Sequence, residues 1–352
     1  MTDSVTTIYD VAKLARVSTY TVSCVVNKSA FVSPKLTERV LQAVRKLDYT
    51  PNAVARSLQT RNTKTVGMLI PDIANPFYAR VVRGLEDRLS KDGYSLLLGN
   101  TYNSNEAQSR YLTLFRGRQV DALLLFMTAG GEDAVERLVL EKRPVVCVGR
   151  VPFKFDCDSV SVDNITGTRS AVERLIGKGH KRIGLVTGEL ALSAGMDRVE
   201  GWRQALQAHN SKVDERLIES GDWTEKSGYD GTVRLLRRRP PPTAIFVANF
   251  LIMTGVLRAL QDRKFAASSV EVASSDDSDW LDVFPRLLVP SPSPATRWGS
   301  KPLIWLWPDW RIRSGPSRGS SSSPLCIFVH KAKPNRHRHH LKVVAAIVDM
   351  TF

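Results

Sequence analysis

Six polar or thiol side chains fall within one short stretch, residues 18–24, that has the spacing of a helix. Hydroxyl and phenol groups at the start of a helix can hydrogen-bond base edges and phosphates when that helix enters the major groove of DNA. Thr19 and Tyr20 are then the base-edge candidates, with Cys24 one turn further along. Hydroxyls suited to phosphates are those of Ser18, Thr21 and Ser23.

Three short helices must position these side chains. Thr7 followed by Asp10 predicts a capping box, with apolar residues at helical spacing behind it: Ile8, Val11, Ala12, Leu14 and Ala15. Ser18 predicts the start of a second helix, and Ser33 with Pro34 predicts the start of a third. Helix, short turn, helix and supporting helix is the helix-turn-helix arrangement. A three-helix bundle without a DNA role is the alternative.

Residues 50–60 predict a further helix, starting at Pro51 and Asn52, that is too short to be stable alone. DNA and a partner copy could order it. Leu58 is then the apolar side chain that could wedge into the minor groove and kink the duplex. A plain interdomain linker is the alternative interpretation.

Beyond residue 60, short apolar runs alternate with amphipathic stretches, which indicates an α/β fold with parallel sheets. The predicted strands are 65–70, 94–100, 122–126, 144–149, 182–188 and 243–249. The predicted helices are 77–91, 105–117, 164–177, 197–209 and 225–238. Ligands of such folds bind beyond the carboxyl ends of the strands.

The net charge of +15 is concentrated at the two ends of the chain. Residues 1–64 hold 10 Lys and Arg against 4 Asp and Glu, whereas residues 65–284 are neutral overall. A small basic module at one end suits a polyanionic partner. A solvated charged surface without such a partner is the alternative explanation of the charge.

The segment from TIYDVAKLARVSTYTVSCVVNKSAFVSPKL to VGMLIPDIANPFYARVVRGLE resembles the LacI/GalR family almost position by position. The resemblance implies that residues 7–27, Asn27 included, bind half of a palindromic operator and that residues 52–59 form a hinge helix contacting DNA through Asn52, Ala55 and Leu58. One position departs from the family, which usually has Arg where this chain has Cys24. Operator preference therefore cannot be carried over.

The same resemblance implies a two-lobed, periplasmic-binding-protein-like domain over residues 61–284, with a small-molecule effector in the cleft. A sugar is the expected effector, and a homodimer the expected assembly. Arg198 is the first candidate, because a guanidinium fork suits vicinal hydroxyls or a carboxylate, and the Trp223 indole offers a flat face to a sugar ring. The other expected effector residues are Phe77, Tyr78, Asp163, Asn249 and Asp276. An ordinary structural role is the alternative for each.

Other chemistry finds little support in the sequence. GKGHKRIG at 177–184 lacks the spacing of a phosphate loop, and a helix end at Gly177 or Gly179 before a strand explains it better. No catalytic constellation, metal site or cofactor motif is found, so no enzyme is expected. The four cysteines are expected to be free thiols. Neither a membrane span nor a signal peptide is found, and a cytoplasmic protein is expected.

Residues 285–352 differ in character from what precedes them. They hold 9 of the 18 Pro and 4 of the 7 Trp but only 2 acidic residues, and no helical or strand period is found before 341–348. We expect an irregular tail and a core incomplete at its C-terminal end. A frameshift after codon 284 and a genuine extension are the two interpretations, and translating the other frames tests them.

The sequence thus predicts a helix-turn-helix domain over residues 1–60, an effector-binding and dimerisation domain over 61–284, and an aberrant tail. It indicates a transcriptional regulator, most simply a repressor. The alternatives are a truncated regulator without function and a sugar-binding protein without a DNA role.

Overall fold

A computed structural model describes residues 6–51, 57, 62–262, 270–275, 311–312 and 326–330, the last two ranges as backbone strands. The chain divides into two compact units, residues 1–64 and 65–352. Several predicted positions lie outside the described residues, namely Asn52, Ala55 and Leu58 of the expected hinge helix and Asp276 of the expected effector site.

The first unit contains the three predicted helices, α1 (Ile8–Ala15), α2 (Thr19–Asn27) and α3 (Pro34–Lys46). The capping box is present, since the Thr7 backbone N–H donates to the Asp10 carboxylate over 2.9 Å. Arg16 then takes a left-handed conformation with φ 47°, which ends α1 and turns the chain toward α2. Local sequence therefore determines both the helices and the tight turn between them.

A small apolar core holds these helices together. Its fully buried members include Val11 of α1, Val22 of α2 and Val40 of α3. Leu14, one of the apolar residues at helical spacing in α1, is 43% exposed. Because Val11, Ala12 and Ala15 already fill the contact with the other helices, Leu14 is left on the outer edge of the apolar stripe.

The second unit alternates strands and helices. Its strands are β1 (Thr65–Ile70), β2 (Ser95–Asn100), β3 (Ala122–Leu125), β4 (Val145–Val148), β5 (Asp158–Val162), β6 (Ile183–Thr187), β7 (Ile218–Ser220), β8 (Ala244–Val247) and β9 (Glu271–Ser274). Its helices are α4 (Pro76–Lys91), α5 (Asn105–Gly117), α6 (Glu132–Leu140), α7 (Asn164–Gly177), α8 (Ser193–Ala208), α9 (Glu225–Leu236) and α10 (Phe250–Asp262). A 3-10 turn, Glu215–Leu217, precedes β7.

Two separate sheets result, and each is the centre of a lobe. The first has the order β5-β4-β3-β1-β2 over these strands, and the second has the order β7-β6-β8-β9. Every pairing among β1 to β9 is parallel. The predicted two-lobed α/β architecture with parallel sheets is therefore confirmed. Among the described residues, no helix is long and apolar enough to cross a membrane.

Five elements were missed by the sequence analysis: β5, β7, β9, α6 and α10. Strand β5, DSVSV, lacks a continuous apolar run, and β7 has only three residues. Patterns of apolar spacing cannot identify strands of these kinds. Helix α10 buries seven of its thirteen residues and has Thr254, Arg258 and Gln261 at helical spacing on its other face, so its pattern was present and was overlooked.

The tail beyond residue 285 also contains strands where the sequence indicated irregular structure. Segments β10 (Arg311–Ile312) and β11 (Cys326–His330) extend the first sheet, with β11 antiparallel to β5. Strand β11 reads CIFVH, whose β-branched and aromatic residues favour an extended strand. Pro- and Ser-rich neighbours hid this short run from the pattern analysis.

Candidate nucleic-acid interface and ligand cleft

Helix α2 presents most of the predicted DNA-contacting side chains. Ser18 is its N-cap, and its hydroxyl accepts the backbone N–H of Thr21 over 3.1 Å. The hydroxyls of Ser18 and Thr21 are 3.0 Å apart, so both lie together at the start of the helix. This end carries unpaired backbone N–H groups and the positive pole of the helix dipole, which suit a phosphate.

Tyr20 has the accessibility that a base-reading residue needs. Its side chain is 73% exposed, while Thr19 beside it is half-buried. Ser23 is also half-buried, and its hydroxyl accepts the side-chain amide N–H of the exposed Asn27 over 3.1 Å. The face that bears Thr19 and Tyr20 is thus not packed inside the first unit.

Cys24 is a correction to the predicted set. Its side chain is only 4% exposed, with Val22 and Val25 as its buried neighbours on α2. Its thiol contacts the phenol one turn earlier, and this hydrogen bond raises the pKa of Tyr20. Because its side chain is buried, Cys24 has too little surface to contact a base, and we remove it from the candidate contacts.

The second unit has a cleft at the carboxyl ends of its strands. Phe126 follows β3, Arg150 follows β4, Asp163 follows β5, Asn249 follows β8 and Ser275 follows β9, and all five line the cleft. The cleft encloses about 840 Å³, including the open solvent at its mouth. Both lobes therefore contribute to one site, at the strand ends where α/β folds bind ligands.

Every described effector candidate lines this cleft. The structure brings together Phe77, Tyr78, Asp163, Arg198, Trp223 and Asn249. Asp276 lies outside the described residues, but the two residues that precede it, Ser274 and Ser275, belong to the lining.

Three aromatic rings form one wall. The ring centroids of Tyr78 and Phe126 are 4.8 Å apart, and those of Phe77 and Tyr78 are 5.2 Å apart, both in edge-to-face geometry. Phe77 and Tyr78 lie at the start of α4, directly after its N-cap Asn75, whose side chain accepts the N–H of Phe77 over 3.0 Å. The wall gives the cleft an apolar face.

Trp223 is within cation–π distance of two guanidinium groups. The Cζ atoms of Arg150 and Arg198 are 5.8 Å and 5.6 Å from its ring centroid, respectively. The indole lies so close to Gly188 that a Cβ added there would be 1.9 Å from it. Trp223 is 6% exposed, and its indole N–H is buried without an acceptor among the described residues. A ligand oxygen could accept that N–H.

Two of the expected polar residues also serve the fold. Asp163 caps α7, accepting the N–H of Thr166 over 2.9 Å, and Asn249 accepts the N–H of Ile252 over 2.8 Å at the start of α10. In Asn249 the capping atom is the side-chain oxygen, and the amide nitrogen is not used in that bond. The capping bonds fix both side chains in orientation at the edge of the cleft.

Several lining residues were missed by the sequence analysis: Asn75, Phe126, Arg150, Asn164 and Thr168. A usable signal existed for two of them. Phe126 and Arg150 directly follow apolar runs that were predicted as strands, and residues at the carboxyl ends of parallel strands form the ligand site. No comparable signal marks Asn164 or Thr168, whose side chains lie on a helix.

Comparison with known families matches both units. Residues 7–52 match the family described as bacterial regulatory proteins, lacI family, and residues 63–287 match the periplasmic binding proteins and sugar binding domain of the LacI family. The second match ends close to residue 284, where the family pattern was found to stop in the sequence.

Curated relatives and solved structures agree with these matches. Catabolite control protein A of Priestia megaterium is 38% identical over 258 residues, which are 73% of this chain and 78% of that protein. The ribose operon repressor of Escherichia coli strain K12 is 36% identical over 275 residues, 77% of this chain and 83% of that protein. A Lac repressor dimer bound to operator superposes with a TM-score of 0.68 at 28% identity, covering 79% of this chain and 84% of the other.

The helix-turn-helix unit, the two-lobed unit with its cleft, and the similarity of both to known regulators lead to one identification. This chain belongs to the LacI family of bacterial regulatory proteins and is a DNA-binding transcriptional regulator.

Proposed function

We propose that α2 is the recognition helix of this regulator and that Thr19 and Tyr20 read base edges in the major groove. The observation that carries this proposal is the exposure of Tyr20 on a capped helix whose opposite face is packed into an apolar core. Ser18, Thr21, Ser23 and Asn27 supply hydrogen bonds to phosphates at the same surface. Asn52, Ala55 and Leu58 of the hinge segment (residues 52–59) add minor-groove contacts.

The cleft of the second unit holds the effector, a sugar or a related metabolite. Its aromatic wall, flat indole and converging polar groups suit a molecule with an apolar face and several hydroxyls. The regulator CelR, solved in complex with cellobiose, supports a sugar, because it superposes with a TM-score of 0.56 at 34% identity.

The regulator acts as a homodimer, as the similar Lac repressor does on its operator. Two recognition helices then meet two half-sites of a palindrome. Effector binding shifts the population of lobe arrangements and changes whether the paired hinge segments can order on DNA. Coupling of this kind is typically about 1–3 kcal/mol. The protein works in the cytoplasm and catalyses no reaction.

Selection from random DNA tests this function without knowledge of the target genes. The full chain is incubated with a random duplex library, and bound sequences are recovered over several rounds. Enrichment of a palindrome with half-sites one helical turn apart is the expected result. Recovery of sequences without a common motif would contradict the proposed function. The matched control is Tyr20→Ala, which should select a motif that differs from that of the wild type.

A further inference from the structure

The guanidinium of Arg150 is buried in the cleft, and no residue of opposite charge forms an ion pair with it among the described residues. Its residue is 3% exposed, yet its hydrogen bonds go to neutral groups, the Met127 carbonyl oxygen and the Asn103 side-chain oxygen, the latter over 2.9 Å. The Tyr78 phenol is a further neutral partner. Leaving a buried charge uncompensated costs several kcal/mol in typical proteins, so such a residue needs a reason outside the stability of the fold.

Glu189 is the carboxylate whose charge acts on Arg150, but it does not pair with it. No ion pair joins these two residues, and one carboxylate oxygen of Glu189 is buried without a hydrogen-bond partner among the described residues. Burial raises the pKa of Glu189, and burial lowers the pKa of Arg150. The positive charge of Arg150 is therefore not neutralised by any described residue in contact with it.

Other donors point into the same region. Arg198 also lines the cleft, with its Cζ atom 5.6 Å from the Trp223 ring centroid, and the Trp223 indole N–H is buried without an acceptor in the part of the chain that the structure describes. The neutral bonds to Asn103 and Met127 hold the Arg150 side chain in place before any ligand arrives. A preorganised guanidinium beside a second cation and a free N–H recognises oxygens that carry negative charge.

We propose that the effector carries an anionic group, a carboxylate or a phosphate, and that Arg150 binds this group. The inference rests on the proposed function, since it concerns the ligand of the same cleft. It narrows the effector from sugars in general to acidic derivatives such as sugar acids or sugar phosphates.

Thermal unfolding of the full chain with simple anions tests the inference. Inorganic phosphate and acetate, each at millimolar concentration, are compared with chloride at equal ionic strength. Phosphate, acetate or both should raise the unfolding temperature of the wild type. The anion that causes the larger increase identifies the class of anionic group. The same anion should bind Arg150→Gln at least about tenfold more weakly, which is the usual scale of a lost charge-assisted bond.

Two controls separate this site from other effects of anions. Arg118→Gln removes an exposed guanidinium elsewhere in the first lobe and should respond like the wild type. Arg150→Lys keeps the charge but loses the planar fork, so its affinity for the anion should fall between those of the wild type and Arg150→Gln. An equal response of wild type and Arg150→Gln would assign the effect to the basic first unit or to bulk solvent and would overturn the inference.

Paired ligands complete the test. Glucose, gluconate and glucose 6-phosphate differ in charge and share most of their hydroxyls. Their affinities are compared by titration calorimetry. If glucose binds and neither gluconate nor glucose 6-phosphate binds more tightly than glucose, the inference is overturned while the proposed function stays intact. Loss of sequence-selective DNA binding, by contrast, would contradict the proposed function itself and is measured separately.

Discussion

At the scale of single residues, the exposed phenol of Tyr20 and the buried indole of Trp223 represent the two activities of the protein. Tyr20 lies on the outer surface of α2, and the Trp223 ring is close to both Arg150 and Arg198 in the cleft. Tyr20 was identified from the sequence by its position at the start of a predicted helix, and Trp223 by its place in a stretch that resembles the family. Arg150 was not identified, because its importance depends on its burial and on the lack of an ion pair with any described residue, which only the folded chain reveals.

Replacing Tyr20 by Ala should reduce affinity for the selected operator by roughly tenfold or more, the usual scale of one base contact at about 1–3 kcal/mol. Affinity for unrelated DNA should change little, since nonspecific binding depends on phosphates. Fluorescence anisotropy with both duplexes measures the ratio. Leu41→Ala, on α3, is the control, and equal losses on both duplexes would argue against base reading by Tyr20.

Gly188→Ala should abolish effector binding while leaving operator binding intact. An added Cβ would lie 1.9 Å from Cε2 of Trp223 and must displace the indole from the cleft. Calorimetry with the identified effector and a gel shift with operator DNA measure the two activities. Unchanged effector affinity would show that Trp223 does not need this position to bind the ligand.

At the scale of elements, short-range signals predicted most of the fold. Capping residues and apolar runs located α1, α2, β1 and most other elements to within a few residues, because local sequence alone determines caps and buried parallel strands. Strands β5 and β7 escaped because tertiary packing, rather than their own pattern, determines them. The cleft residues Asn164 and Thr168 escaped for the same reason.

Two serines at helix starts provide a matched comparison. The hydroxyl of Ser18 accepts a backbone N–H of α2, whereas Ser33 makes no side-chain cap bond at the start of α3. Ser18→Ala should lower the free energy of unfolding of the first unit by about 1 kcal/mol, and Ser33→Ala should change it by much less. Urea unfolding followed by circular dichroism measures both, and equal effects would contradict the capping argument.

The 3-10 turn before β7 depends on a buried carboxylate. Asp214 accepts hydrogen bonds from Arg216 over 2.8 Å and from Arg182 over 3.0 Å, and these bonds, that of Arg216 first, hold its pKa well below the usual range. A lowered pKa means that the stabilisation is present above the pKa of the unfolded chain, about 3.9, and is lost as the pH falls below it. Asp214→Asn should therefore lower the thermal unfolding temperature at pH 7, and the difference should shrink toward pH 3. A difference independent of pH would contradict this account.

At the scale of the whole molecule, sequence patterns established the two units and the family, and the family match ends at residue 287. Despite its unusual composition, the segment beyond that point contributes two strands, β10 and β11, to the first sheet. Whether a frameshift produced this segment stays a prediction that the coding DNA can test. The proposed regulation depends on the two units acting together on one duplex.

Methylation interference on the selected palindrome tests the central claim most directly. Dimethyl sulfate methylates guanine at N7, in the major groove, and adenine at N3, in the minor groove. Methylation of guanine N7 within each half-site should prevent binding, because the start of α2 and Tyr20 occupy that groove. Binding that tolerates every N7 methyl group in the half-sites would contradict the account.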